Sequence, residues 1–520
     1  MKSKKFLLCL TILLLVTSCS SEASEQEPDR EPEISTTTTT LKSTTTTQPE
    51  TMTETESETA SDPVFVSEDI DWDVCYEIYE CGDLQVPLDY TDTDSGSISI
   101  ALVRLPATSD PYLGPLLMNP GGPGGSGVEL VGEWGGIWEM VFSNFDVIGF
   151  DPRGVGSSTQ VLCPNDPDSD ESWLVEDGQD TTEIFIEAVE HAEECREMSG
   201  ELFYHVGTNN VARDMDSIRA AIGAEKINYL GYSYGTRIGA VYASLFPERV
   251  RAMVLDGPVS PDEHPSAFSP IQGLGFENAW SRFVADCDAR ASCALNEYGG
   301  AEEAFSSVTE LLQDKNIPAG GNGRELTKSE FIWSVGAALY GPYMWPDLER
   351  GIIEILEDGK GNRNQRLLDD YEGRREDGTY DNSNAVLFLV RCSDDPNRPT
   401  EGEIAEAADV VADQLDHFGS LWRSDTACYG MPPSLDPLHV EQADLETPAL
   451  VIALEGDPAT PMDWARGLTD SIDQAVLITS DAEGHGAFLS NSECVTDTVL
   501  DYFWYLDVPV DGWSCEEPIR

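Results

Sequence analysis

Along the chain, short apolar runs rich in β-branched residues alternate with stretches of helical pattern. The runs are ISIALVRL (98–105), PLLMN (115–119), FDVIGFD (145–151), INYLG (227–231), RAMVLDG (251–257), ALVIALEGD (449–457) and AVLITS (475–480). VARDMDSIRAAIG (211–223) and TRIGAVYASLF (236–246) read as helices between them. Runs that are apolar throughout fit strands covered on both faces by helices. The alternation predicts an α/β protein with a mostly parallel sheet and helices on both faces.

One stretch breaks this rhythm. Residues 259–388 are mainly helical and aromatic, as in ENAWSRFVADC, AEEAFSSVTELLQD, KSEFIWSVGAALYG and DLERGIIEILEDG. They read as a helical cap inserted between two core segments, 63–258 and 389–520. Ahead of the core, residues 20–62 are rich in Ser, Thr, Glu and Pro without apolar periodicity, a solvated tether. Residues 1–19 carry Lys2, Lys4 and Lys5, then FLLCLTILLLV, then VTSC ending at Cys19. The apolar run is short for a bilayer span, and the whole resembles a lipoprotein signal in which Cys19 receives lipid. That predicts an exported protein held at a membrane by its lipid anchor. The plainer alternative is a secretory signal with an incidental cysteine.

Composition narrows the function. A chain of 520 residues that is 40% hydrophobic buries a large core, enough for one large domain with an insertion. Its formal net charge of −66 excludes a nucleic-acid-binding role, which needs a basic face. Most of that charge lies in the folded body and reads as a solubility or salt-adapted surface. Apart from Cys9 and Cys19 the cysteines are even in number, and in an exported chain they form disulfides. Nearest-neighbour pairing gives 75–81, 163–195, 287–293, 392–428 and 494–515, one of several connectivities the sequence allows. The spacings are not those of zinc sites, and no metal or cofactor is expected.

The candidate chemistry sits at the ends of predicted strands. GYSYG (231–235) matches G-x-S-x-G, a sharp turn that lifts a serine above a sheet. Ser233 is the candidate nucleophile, and the positive end of the following helix faces the place where negative charge develops. NPGGPGGSG (119–127) follows PLLMN, and its glycines free the backbone to turn amides toward an oxyanion. The candidate donors are the N–H groups of Gly122 and Tyr234. The run lacks the Lys-Ser/Thr of a phosphate-binding loop. EGDPATP (455–461) offers Asp457, and VLDGP offers Asp256 as a rival acid. DAEGHGAF (481–488) offers His485 as the base. The order Ser233…Asp457…His485 favours Asp457.

Together NPGGPGGSG, FDVIGFDPRGVGSS, INYLGYSYGTRIGAVYASLFPERV, VLDGPVSP, GDPATP and GHG resemble the secreted α/β-hydrolases of the tripeptidyl-aminopeptidase and proline-iminopeptidase group. The likeness runs from about residue 75 to 515, with LYGPYMWPDLERGI and FLVRCSDDP adding to it. It implies an α/β-hydrolase fold with an inserted helical cap and a Ser-His-Asp hydrolase acting at the free N-terminus of a peptide substrate. It further implies that Thr460 supports the acid, that Cys494 and Cys515 form a terminal pair, and that cap carboxylates hold the substrate's α-ammonium. Glu277, in GFENAW, is the candidate for that last role. The chain is far more acidic than the group. Two alternatives remain: an esterase or lipase on the same scaffold, and a non-catalytic surface-binding lipoprotein. The triad order and the glycine-rich loop argue against the second.

Overall fold

The apolar runs become strands of one ten-stranded sheet. The computed structural model describes residues 70–76, 78–164, 181–321, 323–375, 377–419, 426 and 428–516, so the expected signal segment with Cys19 and the tether lie outside the described residues. In chain order the strands are β1 (Asp73–Cys75), β2 (Tyr79–Pro87), β3 (Ser97–Leu105), β4 (Pro115–Asn119), β5 (Asp146–Phe150), β6 (Ile227–Tyr232), β7 (Val250–Asp256), β8 (Leu450–Gly456), β9 (Val476–Glu483) and β10 (Trp513–Cys515). Across the sheet they run β1-β2-β3-β5-β4-β6-β7-β8-β9-β10. From β5 to β10 every pairing is parallel, while β1, β2 and β3 form an antiparallel margin.

Central strands are apolar on both sides because both sides are covered. Leu117 joins the cluster with Met215, Ile238 and Val241, whereas its neighbours Leu116 and Met118 join the opposite cluster with Phe142, Val499 and Tyr502. Successive side chains of a strand point to opposite faces, so neither face admits a polar residue cheaply. One buried ion pair pins the FDPRG turn after β5. Arg153 donates from Nε and Nη2 to Asp214 at 2.7 Å each, and both side chains are fully buried. Arg153 Nη1 also reaches the carbonyls of Leu88 and His205, and Tyr90 donates to Asp214 at 2.8 Å. Every strong donor of the guanidinium thus has an acceptor, which is the condition for burying such a pair.

The inserted segment builds its own apolar centre. Phe276, Trp280 and Phe283 of helix Pro265–Ala289 meet Phe305, Phe331, Val335, Leu348 and Ile352 from the helices that follow. Helix Ser383–Asp394 then packs Val386, Leu389 and Val390 into the sheet's own cluster. The chain returns to the helical cluster through Val411, Leu415 and Phe418, so the apolar packing alternates across the expected 388/389 boundary. Among the described residues, disulfides tie Cys75 to Cys81, Cys163 to Cys195, Cys287 to Cys293, Cys392 to Cys428 and Cys494 to Cys515. Among the described residues no helix is long and apolar enough to cross a membrane.

Candidate active site

β6 ends at Tyr232, Ser233 follows with φ 54° and ψ −127°, and helix Tyr234–Leu245 begins at the next residue. A non-glycine residue at positive φ is strained backbone of the kind found at functional sites. The flanking glycines make the turn possible. A Cβ on Gly231 would lie 2.4 Å from Gly235 O, and one on Gly235 would lie 2.8 Å from Asn119 O. The Ser233 N–H donates to Asp256 O at 2.8 Å, which ties the turn to the end of β7.

β4 delivers the glycine-rich loop beside this turn. Asn119 Oδ1 accepts the Gly121 N–H at 2.9 Å. Gly121 has φ +95°, and a Cβ there would lie 2.8 Å from Ser233 Cβ and 2.9 Å from Tyr234 N. The loop therefore rests directly on the serine turn. The Gly122 N–H has no hydrogen-bond partner among the described residues, and Tyr234 as first helical residue has no intrahelical acceptor for its own.

β8 delivers Asp457. Asp457 Oδ1 accepts the N–H groups of Ala459 and Thr460 at 2.9 and 2.8 Å, and Oδ2 accepts Thr460 Oγ1–H at 2.9 Å. His485 Nδ1 lies 2.9 Å from each Asp457 oxygen. A carboxylate on Nδ1 fixes the tautomer that leaves Nε2 bare. The backbone N–H of His485 donates to Tyr340 O at 2.8 Å, and the Tyr340 ring lies edge-on to the imidazole at 5.3 Å. Burial pulls the His485 pKa down, but the Asp457 charge and hydrogen bond, aided by the Asp256 charge, hold it above its ordinary value. Among the described residues no hydrogen bond joins Ser233 Oγ to His485. Catalytic hydrogen bonds of this kind often tighten only around substrate.

Asp256 occupies a different place from Asp457. Its carboxylate accepts the Ala487 and Phe488 N–H groups at 2.8–3.0 Å, and burial pushes its pKa up to about 6. It holds the loop that carries His485. Helix Pro265–Ala289 braces the same region from above. Gln272 and Asn278 donate to the carbonyls of Ala459 and Glu455 at 2.7 and 2.8 Å, and Arg282 pairs with Glu483 at 2.7 Å.

Glu277, on that same helix, is engaged elsewhere. One oxygen accepts the N–H groups of His417 and Phe418 at 2.7 and 2.9 Å, and the other lies 2.7 Å from His417 Nδ1. A different cap carboxylate has no hydrogen-bond or ion-pair partner among the described residues. Glu372 follows Tyr371, whose hydroxyl bonds that of Tyr340 at 2.9 Å. Burial, with the charges of Glu330 and Asp369, raises the Glu372 pKa to about 7 against the pull of Arg324, and its carboxylate makes no hydrogen bond or ion pair among the described residues. In the sequence, DDYEG has nothing to set Glu372 apart from its many acidic neighbours. The described residues bring together one group with metal-ligand spacing, Cys163, His191 and Cys195, and its two sulfurs are joined in a disulfide.

A family model described as alpha/beta hydrolase fold matches residues 114–326, and one described as TAP-like protein matches residues 413–515. The serine protease Hip1 of Mycobacterium tuberculosis is 35% identical over 456 residues, covering 84% of this chain and 87% of that protein. The chain belongs to the α/β-hydrolase family. This hydrolase is also 33% identical to the carboxylesterase B of Mycobacterium tuberculosis over 458 residues, 84% of this chain and 86% of the other. With the tripeptidyl aminopeptidase of Streptomyces lividans it shares 32% identity over 463 residues, 83% of this chain and 84% of the other.

Proposed function

We propose that this hydrolase releases short peptides from the free N-terminus of peptides or proteins through an acyl-enzyme on Ser233, with His485 as base and Asp457 as acid. The observation that carries the reading is the 2.9 Å pairing of His485 Nδ1 with Asp457, on a loop that Asp256 ties to the serine turn. In this mechanism His485 Nε2 takes the Ser233 proton as Oγ attacks the scissile carbonyl. The amides of Gly122 and Tyr234 bind the resulting oxyanion. His485 then protonates the leaving amine, and water activated by the same imidazole releases the acyl group. Asp457 keeps the tautomer and stabilises the imidazolium, with Thr460 holding Asp457.

The names of Hip1 and of the Streptomyces relative favour peptide over other acyl substrates. Recognition of the free end falls to Glu372. A half-buried carboxylate beside like charges, with no hydrogen-bond or ion-pair partner among the described residues, is relieved by an incoming ammonium group. Tyr340 packs against His485, and Tyr371, the chain neighbour of Glu372, packs against Tyr340. The second reading, an esterase, rests on the carboxylesterase B likeness. Assaying peptide arylamides with free and acetylated N-termini against simple esters separates the two. The peptidase reading requires turnover of the free arylamide to exceed both others, and faster ester turnover with indifference to acetylation would favour the esterase. Export and tethering through lipid on Cys19 complete the proposal, and Cys19→Ala should move the protein from the membrane fraction to the medium.

A further inference from the structure

The acyl-enzyme reading asks only the backbone amide of Tyr234 to act, yet the side chain of Tyr234 is buried and bound. Its hydroxyl hydrogen-bonds Thr208 Oγ1. Thr208, the first residue of helix Thr208–Ala221, donates its N–H to Asp394 Oδ1 at 2.7 Å and its hydroxyl to Asp394 Oδ2 at 2.5 Å. A threonine hydroxyl has one proton, so the phenol donates to Thr208 Oγ1. Arg237, one turn beyond Tyr234, places Nη1 3.9 Å from Asp394 Oδ2 and donates from Nη2 to Ser260 O at 2.8 Å. Thr208, Tyr234, Arg237 and Asp394 are each no more than 5% exposed. Burying this much polarity serves the fold no better than apolar packing would.

The same helix touches the other half of the oxyanion site. Ser383 begins helix Ser383–Asp394, and a Cβ on Gly124 would lie 2.4 Å from Ser383 O. The start of this helix therefore rests on the loop that carries Gly122, and its end holds Thr208, which holds Tyr234.

Resting on the oxyanion reading above, we infer that Thr208 and Asp394 are positioning residues for acyl transfer. Through the Tyr234 phenol they fix the Ser233–Tyr234 peptide plane, aiming its N–H at the oxyanion and holding Ser233 at positive φ. Helix Ser383–Asp394 is the shared support that keeps the two donors in register.

The test compares Thr208→Val, Thr208→Ser and Tyr234→Phe in the full protein, with folding checked by circular dichroism. Each variant is assayed on a peptide arylamide and a p-nitrophenyl ester, and its affinities for a peptide aldehyde and for the product peptide are measured. The aldehyde forms a hemiacetal on Ser233 whose oxygen enters the oxyanion site, and the product forms no such tetrahedral adduct. Thr208→Val and Tyr234→Phe should lower kcat on both substrates about tenfold and weaken the aldehyde by a similar factor. KM and product affinity should stay within about twofold, and Thr208→Ser should recover most of the loss. Unchanged kcat in the folded variants, equal weakening of aldehyde and product, or failure of Thr208→Ser to rescue would each overturn the inference. If Thr208→Val does not fold, Tyr234→Phe decides alone, since it removes one oxygen and keeps the amide. A wild-type protein inactive on both substrates would instead defeat the acyl-enzyme reading itself.

Discussion

The buried carboxylate of Asp256 accepts the N–H of Ala487 at 2.9 and 3.0 Å, two residues past His485, while the Asp256 carbonyl accepts the N–H of Ser233. One residue at the end of β7 thus binds the serine turn with its main chain and the histidine loop with its side chain. The acid that faces the imidazole is Asp457.

This division of labour predicts unequal effects of two similar substitutions. Asp457→Asn should lower kcat by about 10³–10⁴-fold with little change in KM, because an amide no longer enforces the tautomer. Asp256→Asn should cost about tenfold to 100-fold by misplacing the loop. Steady-state kinetics on one arylamide measures both, and equal losses would blur the distinction.

The pH profile carries a second expectation. In the proposed mechanism His485 takes up a proton only when neutral, and its pKa lies above the ordinary value of 6.5. The acid limb of kcat/KM should therefore fall above pH 6.5. Because the Asp256 charge contributes to that elevation, Asp256→Asn should shift the limb toward lower pH.

Within the cap, His417 lies between Glu277 at 2.7 Å and Glu302 at 2.8 Å. Burial disfavours its protonation, yet hydrogen bonds and charge from Glu277 and Glu302 raise its pKa to about 9. A histidine raised on folding stabilises fully below its unfolded pKa of about 6.5 and loses that contribution as pH rises through the folded value. The Tm gap between wild type and His417→Gln should be widest below pH 6.5, at a few degrees, and should close as pH passes about 9. Thermal melts across that range read it directly.

The Arg153–Asp214 pair gives a stability prediction free of catalysis. Arg153→Met leaves the Asp214 carboxylate buried without its cation, and such a loss costs about 3–5 kcal/mol. Arg153→Met with Asp214→Asn together should recover a large part of it. Denaturant midpoints of the two variants would show the order.

Much of this architecture was legible because its physics is local. Strands buried on both faces must be apolar throughout, and β3 to β9 stand out for that reason. The serine turn was legible because close approach at residues 231 and 235 admits only glycine. β1 and β2 were missed, since the segment Tyr79–Pro87 mixes buried Leu84 and Val86 with exposed positions and reads as loop. Glu277 was singled out by likeness alone, and its carboxylate proved to be bound by His417 and Phe418, contacts made across 140 residues that no local pattern encodes. The Tyr234–Thr208–Asp394 chain was invisible for the same reason, its members lying 26 and 186 residues apart.

In the proposed mechanism Ser233 supplies the attacking oxygen and His485 is its base. Intact-mass and peptide-mapping spectrometry after brief exposure to a fluorophosphonate tests it most directly. A single adduct is expected on the peptide containing Ser233, absent in Ser233→Ala and formed at least about 100-fold more slowly in His485→Ala. An adduct on another residue, or labelling that survives either substitution at full rate, would contradict it.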